Sequence, residues 1–183
     1  MAFEGSCGHR VLIIGLDGGT FDVMRPLAAR GQLPNISGIM ASGVSAGLRS
    51  TVPPHTAPAW ATFATGANPG RHGVYHFRSI DRSFYEGNNY SRVVNSQSIN
   101  LPTLWARASL GGKRVGIINV PLTYPPEPVN GFLVSGMLTP SLASIFTYPR
   151  ELSSSLREYV IDTGFETNDE SLEFRDLSSS DGI

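Results

Sequence analysis

The side chain best placed for metal chemistry is Asp17, which directly follows an apolar run. The segment from Arg10 to Asp17 (RVLIIGLD) predicts a buried strand, because a short continuous apolar run ended by Gly18 and Gly19 is typical of one. Ligands of open α/β sheets bind at the carboxyl ends of strands, so a carboxylate here can approach a cation. The alternative is that Asp17 only caps the turn that follows. From the residues alone, both interpretations stay open.

Thr56 is the second candidate, within the sequence from Pro53 to Pro58 (PPHTAP). Pro58 predicts that a helix begins here, which places the Thr56 hydroxyl at a helix N-terminus, where free N–H groups and the dipole favour anions such as phosphate. A hydroxyl needs activation before it attacks phosphorus, and coordination to a metal provides it. The alternative is an ordinary helix cap, which contributes about 1 kcal/mol to stability. Local sequence alone favours the cap.

Three histidines, His55, His72 and His76, are further candidates for metal binding or proton transfer. Their spacing matches no zinc signature, and the last two lie in a loop that begins at Pro69 and Gly70 rather than on one helix. Structural roles in loop packing are therefore favoured for all three.

Two glycine-rich stretches do not predict nucleotide sites. Gly15 to Gly19 (GLDGG) lacks the spacing of a dinucleotide-binding loop, and no acidic residue ends a second strand about 20 residues further on. Gly111 to Arg114 (GGKR) follows a helix and has arginine where a phosphate loop needs Ser or Thr. This stretch is interpreted as a helix stop.

The elements that must position these residues alternate between apolar strands and helices, which predicts an α/β fold with a mainly parallel sheet. We expect Asp17 and Thr56 to lie near each other at the carboxyl edge of this sheet, because two ligands of one metal cannot have oxygens more than ~4–5 Å apart. The predicted strands are Arg10 to Asp17, Gly47 to Val52, Val93 to Val94, Val115 to Val120 and Phe132 to Ser135. The predicted helices run from Thr20 or Asp22 to Arg30, Leu33 to Gly43, Ala57 to Thr65, Leu101 to Leu110 and Pro149 to Tyr159. Long loops of functional character are predicted from Ala67 to about Gln97.

Composition narrows the class of protein. The 183 residues suit one domain, 40% of them are hydrophobic, and the formal net charge is -1. A buried core is therefore expected, and neither nucleic acid nor an anionic membrane is favoured as a partner. Cys7 is the only cysteine, and no apolar run approaches the ~20 residues of a membrane helix. With no signal-peptide pattern, a cytoplasmic protein is expected.

The charges divide the chain unevenly. From Asp162 onward there are seven acidic residues against one basic residue, Arg175. The preceding part is net basic, which suits an anionic substrate, although a solvated basic surface is an equal alternative. Residues from about 160 to 183 show no periodicity and are interpreted as loop or as a poorly ordered end.

Several motifs in order along the chain resemble the alkaline phosphatase superfamily, in its type I phosphodiesterase/nucleotide pyrophosphatase branch. The motifs are VLIIGLDG from Val11 to Gly18, LPN from Leu33 to Asn35, STVPPHTAPAW from Ser50 to Trp60 and ATGANPGRHG from Ala64 to Gly73. Further motifs, PTLW from Pro102, GIINVPLTYPP from Gly116 and GMLTP from Gly136, are similar to the predicted phosphohydrolase/phosphomutase group in particular.

The resemblance implies a three-layer αβα sandwich and the roles of two residues. Asp17 matches the aspartate that binds the first metal, and Thr56 matches the metal-bound nucleophile. The implied reaction is hydrolysis of a small phosphorylated substrate through a covalent phosphothreonine. Two divalent metal ions, Zn²⁺ or Mn²⁺, would lie about 3.5–4 Å from each other and clamp the attacking and leaving oxygens. A sulfatase is disfavoured because that branch uses a Cys or Ser nucleophile in a basic motif. A mutase stays open.

Two departures from the family pattern limit what the resemblance implies. Nucleotide pyrophosphatases carry an asparagine shortly after the His-Gly pair, and none stands near His76 and Phe77. The family's other metal ligands are downstream Asp and His residues, yet no histidine follows His76. Residues 1–183 are therefore interpreted as an incomplete, N-terminal portion of an alkaline-phosphatase-like domain, inactive by itself. The alternative is a non-catalytic α/β module that binds an anion or a protein partner.

Overall fold

The computed structural model describes residues 10–80, 91–156 and 158–161. The chain divides into two compact units, Met1–Arg49 and Ser50–Ile183. Each unit is built from short elements whose ends follow from local sequence. The predicted acidic end from about 160 to 183 lies almost entirely outside the described residues, as does the middle of the predicted long loop.

Two helices form the described part of the first unit. Helix α1 spans Phe21–Ala29, and the Thr20 side chain caps it by accepting a hydrogen bond from the Asp22 amide at 2.9 Å. Helix α2 spans Pro34–Ser42, with proline at the first turn, where its missing N–H costs nothing. Both helices are confirmed near their predicted bounds.

The predicted strand from Arg10 to Asp17 is wrong. No strand forms there, and every apolar side chain from Val11 to Leu16 is more than half exposed. The backbone groups of a strand need a neighbouring strand as partner, and the described part of the first unit contains none. An apolar run therefore indicates that a segment can form a strand, but it does not indicate whether a neighbouring strand is present to pair with it.

The predicted strand from Gly47 to Val52 is also wrong, since these residues have no regular structure. Pro53 and Pro54 follow directly and offer no N–H to a sheet ladder, which limits how far pairing could extend.

The second unit begins with the helix that carries Thr56. Helix α3 spans Thr56–Thr65 and ends at Gly66, whose φ of 68° is the left-handed conformation that glycine adopts without strain. A short helix, α4, follows over Pro69–His72. Helix α5 spans Leu104–Leu110, begins three residues later than predicted, and is capped by the Thr103 hydroxyl, which accepts from the Ala106 amide at 3.1 Å.

The strands of the second unit form two small sheets. Strand β1, Arg78–Ile80, pairs antiparallel with β2, Ser91–Val93. Strand β3, Val115–Val120, lies parallel to β4, Gly131–Ser135, and β4 lies antiparallel to β5, Thr147–Tyr148. The α/β class is thus confirmed, with a parallel β3–β4 pair and antiparallel neighbours among the described strands.

The predicted helix from Pro149 to Tyr159 is a 3₁₀ helix over Arg150–Ser155 instead. The Ser153 hydroxyl donates to the carbonyl of Arg150 at 2.9 Å, and the Ser154 hydroxyl donates to that of Glu151 at 2.8 Å. Serine side chains that bond to nearby backbone in this way compete with the α-helical ladder.

Three apolar clusters form the core of the described second unit. Helix α3 joins two of them, because Ala57 and Ala61 belong to the first cluster and Ala64 to the second. The buried members are Ala57, Ala61, Val74, Val94, Leu122 and Leu138 in the first, Ala64, Trp105, Ile117, Val129 and Leu133 in the second, and Val134, Phe146 and Ile161 in the third.

Candidate active site

Thr56 is the first residue of α3 and is partly buried. The cap position belongs to His55, whose extended backbone precedes the helix and whose side chain makes no capping hydrogen bond. The interpretation of Thr56 as an ordinary helix cap is therefore wrong. Its hydroxyl stands instead in the first turn, where the leading N–H groups of a helix have no partner within the helix.

Helix α3 is held against the loops that follow β3 and β4. Ala57, next to Thr56, is fully buried in one cluster with Leu122 and Leu138. Leu122 comes two residues after β3 ends, and Leu138 comes three residues after β4 ends. Because these strands are parallel, both loops leave the same edge of the sheet. The first turn of α3 therefore lies beside the carboxyl ends of two parallel strands, the usual place for ligands in α/β proteins.

Buried hydroxyls join these two loops to each other. The Thr123 hydroxyl donates to the carbonyl of Val120 at 2.6 Å and accepts from the amide of Gly136 at 3.0 Å. The Ser135 hydroxyl donates to the carbonyl of Thr123 at 3.1 Å. Sequence reasoning missed this network, since the two bonds between the loops join residues 12 to 13 positions apart, which meet only through the β3–β4 pairing. The sequence from Thr123 to Pro126 (TYPP), which follows a buried strand, was the one local indication that this loop has a fixed conformation.

Three residues at this edge adopt left-handed backbone conformations without being glycine. They are Asn119, with φ of 57°, Leu122, with φ of 64°, and Leu138, with φ of 77°. A branched or bulky side chain is strained in this region. Asn119 also lies at an irregularity in the pairing between Ile118 and Val120. Such strain persists where surrounding contacts impose it, and it concentrates at functional sites.

His72 is fully buried and uses both ring nitrogens. Its Nδ1 accepts a hydrogen bond from the Val74 amide at 3.1 Å, so the other nitrogen, Nε2, carries the proton and donates to the Thr62 hydroxyl at 2.9 Å. Burial lowers the pKa of the His72 imidazole from its ordinary value. His72 is thus a neutral residue committed to internal bonds, and the packing role predicted for it agrees with its place in the structure.

His55 and His76 lie near each other at the start of α3. Their rings meet edge to face with centroids 5.6 Å apart, and Nδ1 of His76 accepts from the Arg78 amide at 3.4 Å. Within residues 10–80, 91–156 and 158–161, no group of three or more His, Cys, Asp or Glu residues could hold a metal ion. Two imidazoles beside Thr56 therefore do not form a metal centre from the described residues alone.

Asp17 lies in a turn of the first unit and is exposed. The turn continues through Gly18, with φ of 67°, and the amide of Gly19 bonds to the carbonyl of Leu16 at 3.3 Å. Because Thr20 caps α1, the carboxylate is not needed as the helix cap. Asp17 and Thr56 belong to different units, so their approach to one another stays a prediction.

A cavity of about 230 Å³ opens behind the loop that follows β3. Glu127 lines it, and its Oε1 accepts from the Thr103 hydroxyl at 2.8 Å and from the indole N–H of Trp105. This carboxylate therefore fixes the N-terminal turn of α5 against the segment between β3 and β4.

Residues 11–179 match the sequence model of the type I phosphodiesterase / nucleotide pyrophosphatase family. The chain belongs to this family. The match confirms the resemblance to the alkaline phosphatase superfamily, and it covers both units, including Asp17 and Thr56. No curated protein and no solved structure matches the chain.

Membership in the family indicates a general chemistry. The family hydrolyses phosphodiester and pyrophosphate bonds of small phosphorylated substrates such as nucleotides, and its members are generally metal-dependent. None of the helices in the described ranges has both the length and the apolar character that crossing a bilayer requires.

Proposed function

We propose that this chain carries the nucleophile of a metal-dependent phosphoric ester hydrolase and that Thr56 is that nucleophile. The placement of Thr56 carries the proposal. It stands at the first position of α3, and its neighbour Ala57 is packed against the loops after two parallel strands. A phosphoryl group bound there would face both the hydroxyl and the positive end of the helix dipole.

The chemistry that this arrangement supports is a double displacement at phosphorus. The Thr56 oxygen attacks in line with the leaving group, so that a phosphothreonine forms as the ester oxygen departs. Water then releases the phosphoryl group and restores the hydroxyl. The dipole of α3 stabilises the negative charge that gathers on the non-bridging oxygens in both steps.

We further propose that Asp17 and Thr56 are ligands of a two-metal centre that binds Zn²⁺ or Mn²⁺. Hard carboxylate and hydroxyl oxygens suit Mn²⁺ as well as Zn²⁺. The described residues do not complete such a centre, so the remaining ligands come from outside them. The same proposal includes the full three-layer sandwich, of which the described strands would form a part.

The decisive experiment is to trap the phosphothreonine in the protein as its gene encodes it. The protein is incubated with bis(p-nitrophenyl) phosphate and Mn²⁺ or Zn²⁺, quenched in acid and digested, and the peptide containing Thr56 is examined by mass spectrometry. We expect a phosphoryl-containing adduct on Thr56. Turnover with an adduct on a different residue would overturn the assignment of Thr56.

One observation favours a second function. Because no metal-binding group occurs within the described residues, a non-catalytic module that binds an anion at the α3 N-terminus is the competing proposal. This proposal predicts that inorganic phosphate binds saturably and that no phosphate ester is hydrolysed, whichever metal is added. Substitution of Thr56 would then weaken phosphate binding only.

A further inference from the structure

The buried imidazole of His72 links α3 to the loop that follows α4. His72 accepts from the Val74 amide and donates to the Thr62 hydroxyl, while its own carbonyl accepts from the Asn100 amide at 3.0 Å. Thr62 lies on α3, less than two turns from Thr56. One ring therefore ties the helix that carries the nucleophile to the loop that follows α4.

Val74 connects this ring to the first turn of α3. Its side chain is buried in the same cluster as Ala57 and Ala61, which lie on the inner face of the helix. The hydrogen bond from the Val74 amide to Nδ1 of His72 fixes the backbone from which that side chain projects. A shift of Val74 would consequently be felt at Ala57, the neighbour of Thr56, because close-packed interiors transmit such shifts.

We infer that His72 is a positioning residue for the reaction, and that only its uncharged imidazole holds α3, and with it Thr56, in the reactive place. This inference rests on the proposed function of Thr56. The neutral ring offers Nδ1 as an acceptor to the Val74 amide. When Nδ1 carries a proton, it becomes a donor and faces the N–H of Val74, which is also a donor. The charged ring therefore cannot keep this hydrogen bond, and the loop is released.

Among the described residues, the elements that pack around the ring offer no negative charge that would compensate a proton. Helix α3 contains no charged residue, the charged member of α4 is the exposed Arg71, and the segment from Ser96 to Asn100 is uncharged. The loop after α4 contains two further titratable residues, Tyr75 and His76, and neither is a carboxylate. Burial alone lowers the pKa of His72.

The test compares His72→Asn with His72→Leu in the protein as its gene encodes it. The asparagine oxygen reaches the place of Nδ1 and accepts from the Val74 amide at any pH, whereas leucine fills the space without an acceptor. We expect His72→Leu to lower kcat about 10²-fold with little change in KM, as a displaced reacting group does. We expect His72→Asn to recover most of that loss. Equal kcat for His72→Leu and the unchanged protein at pH 8 would overturn the inference.

The pH dependence provides a second readout. The ratio of kcat of the unchanged protein to kcat of His72→Asn cancels every titration that the two proteins share. Below the pKa of His72 this ratio should fall by about tenfold for each pH unit, because the uncharged fraction does so. A ratio that stays constant at pH values where NMR shows the His72 imidazole of the folded protein to be protonated would also overturn the inference.

A structural readout separates this inference from the proposed function. Amide exchange at Val74 should accelerate in His72→Leu and not in Thr65→Val, a matched control whose hydroxyl bonds only within α3 and its end, to the Ala61 carbonyl and the Ala67 amide. Faster exchange with unchanged kcat overturns the positioning role and leaves Thr56 as nucleophile. Turnover that survives Thr56→Ala overturns the proposed function itself, whatever Val74 does.

Discussion

The amide of Gly136 donates a hydrogen bond to the buried hydroxyl of Thr123 at 3.0 Å, which joins the loops that leave two parallel strands. The same hydroxyl donates to the carbonyl of Val120. This single side chain therefore satisfies one backbone donor, the Gly136 amide, and one backbone acceptor, the Val120 carbonyl, at the carboxyl edge of the sheet. Through Leu122 and Leu138, the two loops support the first turn of α3.

Thr123→Val should destabilise the protein. Valine has nearly the same shape, but it leaves the Gly136 amide and the Val120 carbonyl without their partner in a buried place. The expected loss in the free energy of unfolding is about 1–3 kcal/mol, measured by urea denaturation. Ser153→Ala is the control, because its hydroxyl bond is exposed, and its expected change is within ~0.5 kcal/mol. Equal losses for the two variants would contradict the structural role of Thr123.

Gly136→Ala tests how closely the two strands approach. A Cβ atom at Gly136 would lie 2.5 Å from the carbonyl carbon of Asn119 and 2.6 Å from the carbonyl oxygen of Val120, both of them backbone atoms that cannot rotate away. Overpacking of this kind costs about 1–3 kcal/mol. Gly38→Ala is the matched control, since Gly38 lies inside α2 with nothing within 4 Å of its added Cβ. It should stabilise the protein by about 0.5–1 kcal/mol. A stable Gly136→Ala variant would mean that the loops are farther apart.

Thr56→Ala should abolish the phosphothreonine and lower turnover by several orders of magnitude, because the attacking oxygen is lost. Thr56→Ser should keep much of the activity, since its hydroxyl reaches the same place with slightly more rotamer freedom. Neither variant should change the free energy of unfolding by more than ~0.5 kcal/mol, because His55 and not Thr56 occupies the cap position. Turnover of Thr56→Ala within about tenfold of the unchanged protein, ~1.4 kcal/mol of barrier, would exclude Thr56 as nucleophile.

Elements whose ends are encoded locally were predictable from the sequence. Gly66 ends α3, Gly111 ends α5, and the apolar run from Val115 to Val120 forms β3 within its predicted bounds. The run from Arg10 to Asp17 has the same apolar character, yet it forms no strand. Its outcome depends on a partner strand, and no local pattern encodes the partner.

The candidate site was predictable to a similar extent. Thr56 at a helix N-terminus follows from the proline-rich sequence around it. The packing of Ala57 against Leu122 and Leu138, and the pair formed by Thr123 and Gly136, do not. These contacts join positions that are distant along the chain, so they become visible only when β3 and β4 are placed side by side.

Metal binding tests whether the ligand set is complete within the chain. Residues 1–183 should not bind two zinc ions tightly, because the described residues contain no group of three or more ligands and a two-metal centre needs several carboxylates and imidazoles. The stoichiometry and affinity of Zn²⁺ binding can be measured by isothermal titration calorimetry at pH 7.5. Stoichiometric binding of two Zn²⁺ that is lost in Asp17→Asn would show that this chain completes the centre by itself.

The stability of the protein should fall in acid through His72. Burial holds the pKa of this imidazole below 6.5, the ordinary value that it regains when the chain unfolds. The unfolded state therefore binds more protons than the folded state between these two values. It follows that the contribution of His72 to stability is complete above pH 6.5 and is lost as the pH falls from 6.5 to the folded-state pKa. Below that value no further loss arises from this group.

Urea denaturation of the unchanged protein and of His72→Asn at pH values from 8 to 5 measures this contribution. The difference in unfolding free energy between the two proteins should be constant above pH 7 and should shift in favour of His72→Asn as the pH falls below 6.5, because asparagine takes up no proton. Thr65→Val is the comparison, because it removes a hydroxyl of α3 and no titratable group, and its difference from the unchanged protein should not show this shift. The contrary result is a difference in unfolding free energy between His72→Asn and the unchanged protein that is independent of pH down to pH 5. His72 would then accept a proton as readily in the folded state as in the unfolded one. In that case an uncharged, buried imidazole would not be what connects Thr62 to Val74.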